Sequence, residues 1–419
     1  MTLLPFQKTS IEKQLHWLKT NPTRAVYNAC EMGLGKTLQT LEVVKALKAK
    51  SVLVVCPAGV VPVWKTEIQK WWPDCCADIE VVSYNFAASK KNLPLINRPF
   101  DVLVIEEAHF AKNPKAQRTK AVLNVLWNNS TYRIALSGTP FTQSVMDCWP
   151  IFSRILPEHF GDYWKFAYTY TKVKKTPWGD KFEGIKNADK LKELIRGNFF
   201  IRYTKDEVLK ELPEKVVQEI YLGPEYLVKR SAEEADAEEA YLKLLEHAYK
   251  KGHPIRTPPP VAIATKRREQ AIKKLPAIVD FCKNFLDSSE SLVVFAYHRD
   301  VISALETQLE EFLPAVIHGG TSESDRAKAV KDFQSGATSL FIGQLTAAGT
   351  GITLTRASNC VFAELDWNPA NNDQAASRIH RIGQTNHCHY YHFCVKGSVD
   401  ERVAAVVFSK KETFEKVLK

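Results

Sequence analysis

Short apolar stretches alternate with amphipathic stretches along the first 140 residues. The apolar stretches predict strands at 25–29, 52–56, 79–83, 102–105 and 133–136. Apolar positions at helical spacing between them predict helices, notably at 36–49 and 62–72. This alternation predicts a parallel sheet that is covered by helices on both faces.

The same alternation resumes at about residue 270, with strands predicted at SLVVFAY, AVIHGG, SLFIGQ, CVFAEL and HYYHFCV. The middle of the chain is first aromatic and helical, then acidic, and it ends in a proline run at 257–260 that cannot lie inside a helix. We therefore predict an α/β protein with two parallel-sheet lobes and a helical insertion. The predicted boundaries are 1–222 for the first lobe, with a helical elaboration from about 141, then a linker at 223–265 and a second lobe at 266–419.

The composition is that of a globular protein, with 45% hydrophobic and 25% charged residues among 419. The longest apolar runs are broken by proline and glycine and are too short to span a membrane. The N-terminus lacks the pattern of a secretory signal, so we expect a cytoplasmic location, as in a bacterial or viral setting, or a nuclear one.

Charge and cysteine usage narrow the class of partner. The net charge of +10 and the isoelectric point near 9.0 favour a polyanion such as nucleic acid. The nine cysteines include no CxxC pair, so neither a disulfide framework nor a zinc ribbon is indicated.

The segment EMGLGKT at 31–37 lies between a predicted strand and a predicted helix. Such a glycine-rich turn directs backbone N–H groups and a helix N-terminus at phosphate oxygens. Gly33 and Gly35 would shape this turn, Lys36 would reach the β- and γ-phosphates of ATP, and Thr37 would bind Mg²⁺. Cys30 occupies the position where the general pattern has its first glycine.

The next motif, VLVIEEAHFAKN at 102–113, contains a predicted strand that ends in two acidic residues. At such a strand end the first acid, Glu106, would hold Mg²⁺, and the second, Glu107, would polarise the attacking water. The turn SGTP at 137–140 suits coupling of nucleotide state to lobe movement, although a plain surface turn has the same composition.

In the second half, Arg378 and Arg381 are three residues apart and are predicted to lie on one face of a helix. An arginine presented to a γ-phosphate stabilises the transition state. A solvated basic helix face is the alternative for an isolated pair of this kind.

The chain resembles the Swi/Snf family of superfamily-two helicase-like ATPases over nearly its whole length. HRIGQT at 380–385 and CVFAELDWNP at 360–369 resemble the annealing-helicase branch in particular. The motifs occur in family order: LPFQ at 4–7, EMGLGKT, VLVVCPAGVVPVWKTEI at 52–68, EEAH at 106–109, LSGTP at 136–140, IRYTKDEVLKELPEK at 201–215, HGGTSESDR at 318–326, TAAGTGITLTRA at 346–357, DWNP at 366–369 and RIHRIGQ at 378–384.

The resemblance implies two RecA-like lobes that close on ATP and Mg²⁺ in a cleft. It assigns Gln7 to reading the adenine, and Gly351 and Gln374 to nucleotide binding. Thr346 and Trp367 would contact DNA, although Trp367 could equally pack on the second lobe. The family has aspartate at the position of Glu106 and a second arginine at the position of Tyr203, after Arg202.

Two further segments allow competing interpretations. HCHYYHFC at 387–394 contains His387, Cys388, His389, His392 and Cys394, but it matches a strand better than a zinc site. The basic run TKRREQAIKK from Thr265 suits either DNA phosphates or a solvated helix face.

These features together predict a monomeric, DNA-dependent ATPase that moves along double-stranded DNA, with a protein partner left open and no membrane association. The alternatives are a strand-separating helicase and a nucleotide-gated DNA clamp with little turnover. No inserted wedge is visible for the helicase, whereas Glu106 in place of aspartate motivates the clamp.

Overall fold

The structure is a computed structural model, and it describes residues 3–141, 144–176, 179–183, 185–196, 199–229, 231–250, 261–288, 290–348, 351–401 and 403–404. The chain divides into two compact units, with the boundary between Lys210 and Glu211. No helix within these described ranges is long and apolar enough to cross a bilayer.

The first unit contains a six-stranded parallel sheet with the strand order β3-β2-β4-β5-β1-β8 and a separate antiparallel hairpin, β6-β7. Its strands are β1 (Ala25–Asn28), β2 (Ser51–Cys56), β3 (Asp78–Ser83), β4 (Phe100–Glu106), β5 (Ser130–Leu136), β6 (Lys172–Thr176), β7 (Gly179–Glu183) and β8 (Phe200–Ile201). Its helices are α1 (Pro5–Thr20), α2 (Lys36–Ala46), α3 (Val61–Trp71), α4 (Tyr84–Ala88), α5 (Leu93–Ile96), α6 (Gln117–Lys120), α7 (Trp149–Ile155), α8 (Pro157–Phe160), α9 (Tyr163–Tyr170), α10 (Ala188–Arg196) and α11 (Lys205–Val208).

The second unit repeats this architecture with a parallel sheet of strand order β11-β12-β10-β13-β14-β9. Its strands are β9 (Lys215–Leu222), β10 (Leu292–Ala296), β11 (Ala315–Ile317), β12 (Leu340–Gln344), β13 (Asn359–Phe362) and β14 (Cys388–Val395). Its helices are α12 (Ala232–Lys250), α13 (Val261–Lys273), α14 (Leu275–Leu286), α15 (Arg299–Gln308), α16 (Glu323–Ser335), α17 (Leu345–Ala348) and α18 (Pro369–Ala376).

The continuous apolar strands of both sheets are buried on their two faces. In β2, Leu53 and Val55 pack into one hydrophobic cluster, whereas Val52 and Val54 pack into another on the opposite face. β10 divides its side chains between two clusters in the same way. Burial on both faces is the reason that parallel strands show no alternation of apolar and polar residues. The predicted α/β class with two parallel-sheet lobes is confirmed.

β9 lies outside the lobe to which the sequence assigned it. The predicted first lobe extends to residue 222, but β9 pairs with β14 along its whole length, from Lys215 to Leu222. Eight backbone pairings hold it in the second sheet, so that unit begins before this strand. The predicted proline linker at 257–260 lies outside the described residues.

Candidate functional site

The loop between β1 and α2 has the backbone of a phosphate-binding turn. Gly33 and Gly35 have φ angles of 88° and 75°, in the left-handed region that favours glycine. A Cβ atom on Gly35 would lie 2.7 Å from Nε2 of Gln7, so this position also needs the missing side chain. Helix α2 begins at Lys36, whose Nζ donates to the carbonyls of Cys30 at 3.0 Å and Glu31 at 3.5 Å.

A buried amide network fixes this loop. The carbonyl of Leu34 accepts from Nε2 of Gln39 at 3.0 Å and from Nε2 of Gln7 at 3.3 Å. Oε1 of Gln39 in turn accepts from Asn28 at 3.1 Å and from the Ser10 hydroxyl at 2.7 Å. Because these groups are buried and mutually satisfied, the loop is held without a ligand.

Gln7 and Cys30 occupy defined positions in this network. Besides the bond to Leu34, Oε1 of Gln7 accepts from the N–H of Leu4 at 3.0 Å. Adenine reading by Gln7 remains a prediction. Cys30, at the position of the missing first glycine, is buried beside Ser10 and Gln39, and burial raises the pKa of its thiol. The thiol is therefore a packing group at neutral pH.

The two predicted acids end β4 and begin the next turn. Oε2 of Glu106 accepts from the indole N–H of Trp64 at 3.3 Å, and Glu107 has the left-handed φ of 50°. The hydroxyl of Tyr84 donates to the backbone carbonyls of Glu106 at 3.0 Å and Glu107 at 3.4 Å. Burial, followed by the Glu106 and Glu107 carboxylates, raises the pKa of Tyr84 well above its usual value, so it stays a donor.

The SGTP turn joins the acids to the glycine-rich loop. The hydroxyl of Ser137 donates to Oε2 of Glu107 at 3.3 Å, and its N–H donates to the carbonyl of Asn28 at 3.2 Å. Nδ1 of His109 lies 2.9 Å from the same hydroxyl and 3.3 Å from Oε2 of Glu107. Burial lowers the pKa of His109 despite the Glu107 carboxylate, which favours the neutral ring. The turn is thus part of the site and not a plain surface turn.

Arg202 is a site residue whose importance the sequence did not reveal. Its guanidinium donates to the carbonyl of Ala29 at 2.9 Å and to that of Gly138 at 3.2 Å, which joins the loop and the SGTP turn. Gly138 is pressed against the loop, since a Cβ there would lie 3.0 Å from Cγ of Met32 and 3.3 Å from the Cys30 carbonyl. The sequence signal was only the family comparison at position 203.

The donor set at this sheet edge suits Mg²⁺. Glu106 and Glu107 supply carboxylate oxygens and Thr37 supplies a hydroxyl at the start of α2. Hard oxygen ligands in small number are what Mg²⁺ takes in phosphate sites, where it keeps several waters. β4 and β1 are both bonded to β5, so their carboxyl ends meet at one edge of the sheet. The residues present fit the predicted ion.

In the second unit, the RIHRIGQ segment docks on the loop after α17. Helix α18 ends at Ala376, so Arg378 and Arg381 lie in the turns beyond it and not on a helix face as predicted. Both guanidinium groups donate to the carbonyl of Ile352, at 3.1 and 3.3 Å, and Arg381 also donates to the Thr353 hydroxyl at 2.9 Å. Arg378 is almost fully buried, whereas Arg381 is partly exposed.

Further hydrogen bonds in this unit join the RIHRIGQ segment to the TAAGTGITLTRA segment and to the LPEK segment. Nε2 of Gln384 donates to the carbonyls of Thr355 and Ala357, at 3.2 and 2.8 Å. The ring of His380 lies 2.8 Å from the carbonyl of Pro213, in the LPEK segment. The LPEK, TAAGTGITLTRA and RIHRIGQ segments therefore pack together as a single substructure.

The remaining predicted residues of this unit lie in different surroundings. Thr346 is exposed on α17, Gly351 has a left-handed φ of 73°, and the carbonyl of Gln374 accepts from Nε of Arg378 at 3.0 Å. Their ligand roles remain predictions. Trp367 is partly buried, with the Arg267 guanidinium 5.3 Å from its ring and Tyr241 edge-on at 6.2 Å.

The two ambiguous segments are settled by their elements. Residues 388–395 form β14, the strand that was favoured over a zinc site. The basic run lies on α13 and ends at Lys274, immediately before α14, and it is neither a purely DNA-facing nor a purely solvated helix face. Arg267 and Lys274 are buried, where they bind the carbonyls of Leu365 and Phe393.

Comparison with known proteins identifies the family of this chain. A model of the SNF2-related domain matches residues 13–91 and 74–232, and a model of the helicase conserved C-terminal domain matches residues 272–383. The chain belongs to the SNF2-related family. The predicted family is thereby confirmed, and the matched segments include the glycine-rich loop, the acid pair, the SGTP turn and both arginines.

Relatives of this SNF2-related chain are much longer. It is 29% identical to the SWI/SNF-related matrix-associated actin-dependent regulator of chromatin subfamily A-like protein 1 of Xenopus tropicalis, covering 97% of this chain and 44% of the relative. It is 31% identical to the human DNA annealing helicase and endonuclease ZRANB3, covering 95% of this chain and 39% of the relative. The chain thus spans less than half the length of these relatives. The Sulfolobus solfataricus SWI2/SNF2 ATPase core in complex with dsDNA aligns over 100% of this chain and 95% of its own, with 23% identity and a TM-score of 0.46.

Proposed function

We propose that this SNF2-related chain hydrolyses ATP and uses the energy to move along double-stranded DNA without separating its strands. The observation that carries the proposal is the joined edge of the first sheet. There, the glycine-rich loop, the acid pair and the SGTP turn are linked by hydrogen bonds through Ser137 and Arg202. Family membership supports the same conclusion.

Each residue of this edge has a proposed role in phosphoryl transfer. The loop N–H groups and Lys36 bind the phosphates of ATP, and Lys36 exchanges its carbonyl partners for phosphate oxygens. Glu107 orients the attacking water, while Ser137 and His109 hold its carboxylate in place. Thr37 and Glu106 would hold Mg²⁺, which when bound supplies neutralisation of phosphate charge.

In the second unit, Arg381 is proposed to stabilise charge on the transferring phosphate. It is the more exposed of the two predicted arginines, and it donates to the carbonyl of Ile352 and to the hydroxyl of Thr353. Arg378 is proposed to position the segment, because it is nearly buried and bonded to the carbonyls of Ile352 and Gln374. Gly351 and Gln374 are proposed to shape the nucleotide-binding side of this unit.

The proposed track is duplex DNA. The net charge of +10 favours a polyanion, and contacts to the backbone would make binding sequence-independent and sensitive to salt. Thr346 and Trp367 are the proposed contacts in the second unit. The human relative is named a DNA annealing helicase and endonuclease, which supports an annealing or remodelling motor. We propose that this motor acts as a monomer.

The test measures steady-state phosphate release against duplex DNA, single-stranded DNA, forked DNA and RNA, together with displacement of the third strand of a triplex. We expect strong stimulation by duplex DNA, weak stimulation by RNA, and displacement that requires ATP. Unwinding of a plain tailed duplex without triplex displacement would support a strand-separating helicase. Tight nucleotide-dependent DNA binding with negligible phosphate release would support a clamp.

A further inference from the structure

An exposed aromatic surface lies on the first unit, away from the glycine-rich loop in sequence. Trp164 and Tyr168 are one turn apart on α9 and remain 56% and 45% exposed. The opposite face of the same helix, with Phe166 and Tyr170, is buried in the hydrophobic core. The core therefore fixes the orientation of α9, and this orientation presents the two rings to solvent.

The hairpin β6-β7 completes the surface. The ring of Phe182 lies 5.6 Å from that of Trp164 and 5.5 Å from that of Tyr168. Val173 is directly opposite Phe182 in the hairpin register and is 36% exposed. Because the three rings contact one another, they form a preformed platform in which Trp164 and Tyr168 remain exposed.

Lysines are concentrated in the segment that carries the platform. The segment 163–187 contains six lysines and two acidic residues, and Lys165, Lys172, Lys175 and Lys186 are exposed. Lysine is depleted from the core of protein–protein interfaces. Accessible rings among lysines are instead the combination that binds single-stranded nucleic acid, since bases stack on the rings and cations contact the phosphates.

We propose that Trp164, Tyr168 and the surrounding lysines form a binding surface for single-stranded DNA. The choice of DNA over RNA rests on the proposed function, whereas the choice of an unpaired strand rests on the rings, because a paired base hides its faces in the stack. The surface gives a duplex motor a place to hold unpaired bases.

The test is fluorescence anisotropy of a labelled twenty-nucleotide oligothymidine with the full chain. Replacing both rings, Trp164→Ala with Tyr168→Ala, should weaken binding about tenfold or more. The conservative pair Trp164→Phe with Tyr168→Phe should retain most of the affinity. A matched control is Leu313→Ala in the second unit, an apolar side chain that is 76% exposed and should have no effect. Lys172→Glu with Lys175→Glu should weaken binding and reduce its salt dependence.

The same variants separate this proposal from the proposed function. Stimulation of phosphate release by duplex DNA should survive in the double alanine variant, because neither ring belongs to the proposed catalytic residues. Unchanged oligothymidine affinity in both the alanine and the lysine variants would overturn the surface while the motor stands. Tighter binding of the wild type to oligouridine would overturn the assignment to DNA.

Loss of self-association without loss of oligothymidine binding would assign the surface to a second copy of this chain. A wild type that binds oligothymidine but ignores duplex DNA would overturn the motor alone.

Discussion

The glycine-rich loop of the first unit and the RIHRIGQ segment of the second are held by similar hydrogen bonds, but the two differ in which side chains make them. In each, one backbone carbonyl collects two side-chain donors: Leu34 from Gln7 and Gln39, and Ile352 from Arg378 and Arg381. In the loop the donors are neutral amides, and the charged residue, Lys36, is a separate group. In the second segment the charged residues are themselves the donors.

This difference has consequences for mutation. Removing Lys36 takes away a charge while the amides still hold the loop, so chemistry should be lost without loss of structure. Removing Arg378 takes a buried charged donor from the carbonyls of Ile352 and Gln374, to which Arg381 and Ser377 still donate. Hydrogen bonds that involve a charged group contribute about 1.5–3 kcal/mol. The loop therefore separates binding from support, whereas the arginine segment combines them.

The largest expected effect comes from Lys36→Ala. We expect phosphate release to fall to background, because the β- and γ-phosphates lose their cation, while the melting temperature stays near that of the wild type. The matched control is Lys45→Ala on the same helix, where Lys45 pairs with Glu42 and should affect turnover little. Wild-type hydrolysis by the Lys36 variant would show that the loop is not the phosphate site.

The second prediction divides the two arginines. Arg381→Ala should retain most of its ATP affinity and lose about a thousandfold in kcat, because the proposed contact forms mainly in the transition state. Arg378→Ala should instead lower the free energy of unfolding by about 1.5–3 kcal/mol, with a parallel loss of activity. Paired measurements of ATP binding, single-turnover hydrolysis and thermal unfolding check both. Equal destabilisation by the two variants would give Arg381 a supporting role as well.

The third prediction concerns Glu106, where the family has aspartate. Glu106→Asp should retain or raise activity, and Glu106→Gln should lower it on the order of tenfold to a hundredfold by weakening the Mg²⁺ site. The measurement is phosphate release over a range of Mg²⁺ concentrations. Trp64→Phe is the control for the 3.3 Å hydrogen bond to this carboxylate, and its melting temperature is measured as well because Trp64 is fully buried. Full activity of the Gln variant at every concentration would take Glu106 off the metal path.

The comparison also explains what could be read from the sequence. The predicted strands of both sheets were found because continuous apolar runs reflect burial on both faces. β8 was missed because it has only two residues, and β9 because its sequence is not continuously apolar. Both become strands by pairing with strands that are distant in sequence, β1 and β14. Lys36 could be predicted as a phosphate-binding residue because it occurs at a fixed position in a short motif, EMGLGKT at 31–37.

Supporting residues follow no local rule, because their partners lie in other segments. Arg202 bonds carbonyls at positions 29 and 138, and Gln39 was recognisable only as a polar residue on a buried helix face. Arg267 and Lys274 were part of a run that suggested a basic surface, yet both are buried. Hydropathy cannot distinguish a buried cation from a solvated one when the acceptor is a remote backbone carbonyl.

The smallest effect that we predict concerns Trp367. It tests whether this ring contacts DNA directly or only stabilises the second unit by packing. Trp367→Ala should reduce triplex displacement several-fold more than DNA-free hydrolysis if the ring contacts the DNA groove. The ring also packs against Arg267 and Tyr241, so the same change removes part of the cover of a buried cation. Tyr241→Ala removes the neighbouring ring and leaves Trp367 in place, which makes it the matched control for packing. If both variants lower the melting temperature and lose hydrolysis and displacement in parallel, Trp367 is a supporting residue like Arg378. If only Trp367→Ala uncouples displacement from hydrolysis, the ring acts on the track, because a change in packing alone has no reason to spare turnover.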